Sequence, residues 1–141
     1  EDKRRSLVEC ITDGVSGAVI SQARSLRSGL VEVLKEDADV ILVDMSMPTY
    51  DIGEEEHGGT PQAFAGRDLL RHMSQRDILT PVIVVTQFET FGQGTDLVTL
   101  EQLDAELRAE HESYLGTIYY DAASEEWKEQ LISAVAGVPE P

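Results

Sequence analysis

Two polar side chains stand at the ends of apolar runs. Asp44 closes ADVILVD (residues 38–44) and Thr86 closes TPVIVVT (residues 80–86). A carboxylate so placed can ligate a hard cation or attack an electrophile, and a nearby hydroxyl can donate to the anion that results. Other chemistries lack their residues. A phosphatase working with two aspartates around a strand end needs a carboxylate at position 46, where Ser46 stands. There is no nucleophile elbow, no HExxH and no P-loop. FGQGT (residues 91–95) lacks a P-loop lysine and the full GxGxxG spacing, and reads as a turn into a helix capped by Thr95 or Asp96. His57, His72 and His111 have no metal-ligand spacing to one another or to Cys10, so they are expected at the surface. Cys10, the single cysteine, excludes an intrachain disulfide and shares an apolar helical stripe with Leu7 and Ile11, where packing is its expected role.

The elements that must position Asp44 and Thr86 follow from periodicity. Helices are expected at 3–12, 25–36 (Leu26, Leu30, Val33 and Leu34 inward), 64–76 (Leu69, Leu70 and Met73), 95–111 (Leu97, Leu100, Leu103 and Leu107) and 125–136 (Trp127, Leu131 and Val135, capped by Ser124). Strands are expected at 17–22, 38–44, 81–86 and 114–120. Strands alternating with amphipathic helices imply an α/β domain with a parallel sheet covered on both faces, and the continuously apolar strands agree. Such open sheets bind ligands at the carboxyl ends of their strands, where Asp44 and Thr86 lie. Tyr119 and Tyr120 fall on alternate faces, one in the core and the other toward the Asp44 pocket. The pattern begins with a helix although doubly wound domains begin with a strand. Glu1 and Asp2 are therefore expected to end a first strand whose body lies upstream.

The 141 residues suit one domain, 1–141. The 27 acidic and 11 basic residues give a formal charge of −16, which argues against direct contact with DNA or RNA. The charge suits a metal site or a basic partner, but for most of these residues, including Glu54–Glu56, a solvated surface is the plainer reading. No apolar run approaches the ~20 residues of a membrane helix, and no stretch resembles a secretion signal. A cytoplasmic setting is expected.

VILVDMSMP (residues 40–48), TPVIVVT (80–86) and AGRDLL (65–70) together resemble the receiver domain of bacterial response regulators, over essentially the whole chain. The resemblance implies a flavodoxin-like doubly wound sheet in strand order 2-1-3-4-5, counting the upstream strand as the first. It implies that Asp44 is the phosphoacceptor and Thr86 the switch hydroxyl that turns toward the phosphoryl group. It further implies that Glu1, Asp2 and Asp44 hold a magnesium ion, Mg2+, and that a histidine kinase is the donor. A carboxylate oxygen would attack phosphorus in line, with the cation neutralising the crowded negative charge.

The sequence also departs from that family. Tyr120-Asp121 stands where Lys-Pro is expected, and the next lysine, Lys128, is inside the last helix. An aspartate there repels a phosphoryl group. Gln87 and Phe88 follow Thr86 where a small residue is expected, and the loop after Asp44 is long. Two functional readings follow. One is a receiver-like signalling domain, regulatory rather than enzymatic, with impaired or atypical phosphorylation at Asp44. The other is a pseudo-receiver: the same fold used as a protein–protein interaction module, with the loop at 49–63 and the helix at 95–111 as its partner surface. The sequence ends at AGVPEP, so output is expected through protein contact or a domain outside it. Both readings require Asp44 and Thr86 to meet at one crevice.

Overall fold

The computed structural model describes residues 2–15, 19–20, 23, 26–35, 38–44, 65–87, 90–91, 98–121 and 123–136. Their order is α1 (Asp2–Gly14), α2 (Leu26–Leu34), β1 (Ile41–Asp44), α3 (Ala65–Gln75), β2 (Val82–Thr86), β3 (Thr90–Phe91), β4 (Val98–Thr99), α4 (Leu100–Glu110), β5 (Tyr114–Tyr119) and α5 (Glu126–Ala136). β1, β2 and β5 form a parallel sheet in that spatial order, with β2 central. Every residue of β2 is buried, as a strand covered on both faces requires.

Alternation along β2 divides the interior into two cores. Val82 and Val84 face α2, α3 and α4, packing with Val33, Leu69, Leu70, Met73, Leu103 and Leu107. Ile83 and Val85 face α1 and α5, packing with Leu7, Ile11, Trp127 and Leu131. The apolar stripes of α3 and α5 therefore point as their spacing predicts. α2 packs Leu30 and Val33 on the core as expected, whereas Leu34 is exposed. This α/β arrangement of a small parallel sheet and five described helices is compatible with a flavodoxin-like fold. No helix among the described residues is long and apolar enough to cross a membrane.

Two expected elements differ. In the stretch expected as a strand at 17–22, the described Val19 and Ile20 are not strand, and Val19 is 96% exposed. The helix expected at 95–111 begins instead at Leu100. Val98 and Thr99 belong to β4, paired antiparallel with β3 through Phe91↔Val98 and Thr90↔Thr99. Thr99 then caps α4. Its hydroxyl accepts the Gln102 N–H at 3.2 Å while the Gln102 side chain accepts the Thr99 N–H at 2.9 Å. This reciprocal capping box satisfies two helix-end donors, so the cap is Thr99 and not Thr95 or Asp96, which lie outside the described residues.

Two helix and strand junctions need unusual backbone. α3 ends in a Schellman motif: Ile78 N–H reaches Met73 O at 3.0 Å and Asp77 N–H reaches Ser74 O at 3.2 Å. Asp77 takes the left-handed position, φ 55°. In β5 the register against β2 slips after Tyr114, leaving Leu115 unpaired and Gly116 at φ 155°.

Candidate functional site

Asp44 is the last residue of β1 and Thr86 the last of β2, so both lie at the carboxyl edge of the sheet, on adjacent strands. Their register is offset by one. Asp44 is opposite Val85, and Thr86 is opposite Tyr119 of β5. Paired residues share a face and neighbours along a strand alternate. Asp44 is thus directed to the α1/α5 face with Val85, Ile118 and Tyr120, and Thr86 to the α2–α4 face. The crevice expected to take both is divided by the sheet. Asp44 is half-buried and Thr86 wholly buried.

The end of β5 carries the largest departure from the resemblance. Tyr120 is 7% exposed and its ring centroid lies 4.9 Å from that of Trp127 at 53°, a tilted aromatic pair. Its hydroxyl donates to Ser6 Oγ of α1 at 3.3 Å, and its backbone N–H donates to Thr86 O at 2.7 Å. The position expected to hold a lysine is a buried phenol tied to three elements. Tyr119 is the exposed member of the pair; it is opposite Thr86 and lines a hollow with Asp121, Ser124, Trp127 and Gln130. Asp121 opens a turn: its carboxylate accepts the Ala123 N–H at 3.0 Å. Ser124, as expected, caps α5 by accepting the Glu126 N–H at 3.1 Å. Lys128 lies 3.3 Å from Glu125 and 5.7 Å from the centre of the Trp127 ring, engaged on α5.

For magnesium, the donor type of Asp44 fits, because carboxylate oxygens are the ligands this ion takes. Among the described residues no three His, Cys, Asp or Glu side chains converge on a cation site. Asp2 is the first residue of α1 and helical, not the end of a strand. Its side chain, all of Glu1, Met45–Pro48, Phe88 and the loop at 49–63 with Glu54–Glu56 and His57 lie outside the described residues.

Some residues differ from expectation or were not foreseen. His111 is not a surface residue. It is 7% exposed and its Nδ1 lies 2.7 Å from Ser74 Oγ, joining the carboxyl end of α4 to that of α3. His72 Nδ1 accepts from the Arg76 guanidinium at 3.3 Å, one turn along α3. Tyr114 donates its hydroxyl to Asp104 at 2.5 Å and also contacts the Thr117 hydroxyl. Burial, and then the bond to Asp104, push its ionisation well above the ordinary tyrosine range. Arg108 bonds Asp104 at 3.1 Å and stands over the Tyr114 ring. Cys10 is half-buried as expected, and burial raises its thiol pKa despite the opposing charge of Lys128.

No family model matches the chain. Over 136 residues it is 35% identical to the Detocs response regulatory protein DtcB of Enterobacter cloacae (strain JD6301), covering 94% of this chain and 91% of that protein. Over 134 residues it is 33% identical to the uncharacterized protein y4jR of Sinorhizobium fredii (strain NBRC 101917 / NGR234), covering 94% of this chain and 89% of that protein.

Proposed function

The chain belongs to the response-regulator family of DtcB, and on that premise we propose that it is a receiver-like signalling domain in which Asp44 accepts a phosphoryl group in an atypical way. The relationship to DtcB carries this reading; Asp44 and Thr86 end adjacent parallel strands at the same carboxyl edge, though on opposite faces and not in the one crevice that was expected. The full sheet would be in the order 2-1-3-4-5, of which β1, β2 and β5 are the last three strands.

The reaction is a transfer. A carboxylate oxygen of Asp44 attacks phosphorus, the bond from phosphorus to a histidine nitrogen of a cytoplasmic kinase breaks, and an acyl phosphate forms. Magnesium, held by Asp44 with Asp2 and Glu1, would neutralise charge on the transferred group. Thr86 rests on the opposite face from Asp44, so its hydroxyl has to turn over the edge to meet the new anion. That movement is what a switch residue supplies.

A second reading is favoured by Tyr120. A buried aromatic residue in the place of a lysine removes the cation that would balance the phosphoryl charge. On this reading the domain is a pseudo-receiver that binds its partner without phosphorylation.

One experiment separates the two. The chain is incubated with magnesium and a small phosphodonor and its intact mass is measured. A gain of one phosphoryl group that is absent in Asp44→Asn supports transfer to Asp44. No gain in the wild-type chain, and no response to beryllofluoride with magnesium, supports the pseudo-receiver.

A further inference from the structure

α1 and α5 border a hollow of about 290 Å³. Ser6, Glu9, Cys10 and Asp13 line the α1 wall, and their spacing puts them on one face of that helix. Lys128 lines the α5 wall. The helices touch at Gly14, where a Cβ would collide with Ile132 Cδ1, so the hollow is bounded there by backbone. Cys10 Sγ lies 3.9 Å from the Lys128 carbonyl oxygen.

The two walls carry opposite charge, yet no ion pair between described residues joins them. Lys128 is paired with Glu125 of its own helix at 3.3 Å. Glu9 and Asp13, one turn apart and of like charge, disfavour one another. Ser6 Oγ accepts the Tyr120 hydroxyl at 3.3 Å, which leaves its own proton for another acceptor. A hollow of this volume is at the lower bound of those that hold small organic molecules, and its polar walls select a polar occupant. A molecule of one sign gains at one wall and loses at the other. One that carries both signs gains at each: an ammonium beside Glu9 and Asp13, and a carboxylate beside Lys128 and the Ser6 hydroxyl.

We propose that the hollow between α1 and α5 binds a small zwitterion of amino-acid size. The proposal does not depend on phosphorylation of Asp44.

Cys10 is the single cysteine and lines the hollow, so its reaction with a small neutral thiol reagent, methyl methanethiosulfonate, reports on occupancy. The full chain is treated with the reagent and the modified fraction is read as intact mass over time. Glycine, β-alanine and γ-aminobutyrate, in which the two charges stand progressively further apart, are the probes. The expected result is saturable slowing by at least one of them, with half-protection on the order of millimolar because exposed charge pairs are individually weak. Its N-acetyl derivative and its methyl ester, each lacking one charge, protect less. Asp13→Asn and Lys128→Gln each raise the half-protecting concentration about two- to fivefold. These side chains lie at the surface, where neutral replacements leave the fold intact, and each variant is compared with itself without probe. No protection of the wild-type chain by any of the three overturns the proposal. Equal protection by a singly charged derivative, or unchanged half-protection in both variants, also overturns it.

Discussion

The carbonyl oxygen of Thr86 accepts the N–H of Tyr120 at 2.7 Å. This bond connects the residue proposed as the switch to the residue that stands where the resemblance leads one to expect a lysine. The Tyr120 backbone is bonded to the end of β2, and its side chain touches α1 and α5. The predictions below concern the junctions around this edge.

Tyr114 makes stability depend on alkaline pH. Its folded pKa is raised above the unfolded value of about 10. A raised pKa contributes stability that is complete below the unfolded value and falls as pH climbs past it, because only the unfolded chain then releases the proton. Tm followed from pH 8 to 11 should decline above about pH 10, with a shallower decline in Tyr114→Phe. At neutral pH the same substitution should cost about 1 kcal/mol.

Asp77 occupies the left-handed position of the α3 cap, next to a helix carboxyl end that disfavours negative charge. Asp77→Gly should stabilise by about 1 kcal/mol or less. A urea midpoint shifted upward with an unchanged slope would show this, and a downward shift would refute it.

Gly116 is at φ 155°, and a Cβ there would lie 3.4 Å from an Arg108 guanidinium nitrogen. Gly116→Ala should destabilise by about 1–3 kcal/mol, with the loss read from urea unfolding. A neutral effect would mean that the β5 irregularity rearranges at no cost.

Ser74→Ala removes the partner of the His111 ring nitrogen inside the protein. The expected cost is about 1–3 kcal/mol. Ser74→Thr, which keeps the hydroxyl, should recover most of it. Equal stability of the alanine and threonine variants would show that the bond contributes nothing.

Much of this was legible in the residues themselves. Val82–Val85 needed no context, because an unbroken apolar run between polar segments has few other uses. The stripes Leu69–Leu70–Met73 and Trp127–Leu131 fixed their faces by spacing alone. The boundary of α4 was misread because Leu97, Leu100, Leu103 and Leu107 continue a helical period through Val98 and Thr99, which pair as a strand. The signal that corrects it, Thr99 followed three residues later by Gln102, was present in the sequence. The burial of His111 was not legible, because its partner is 37 positions away. Asp44 and Thr86 could be assigned to one edge from the sequence, but their faces depend on a register offset of one that only the pairing of β1 with β2 reveals.

Thr99 does two jobs at once, closing the β3–β4 ribbon and starting α4. The same residue therefore sets both the end of the ribbon and the first turn of the helix. A substitution that removes the Thr99 hydroxyl thus takes away the cap of α4 at the very residue that pairs with Thr90.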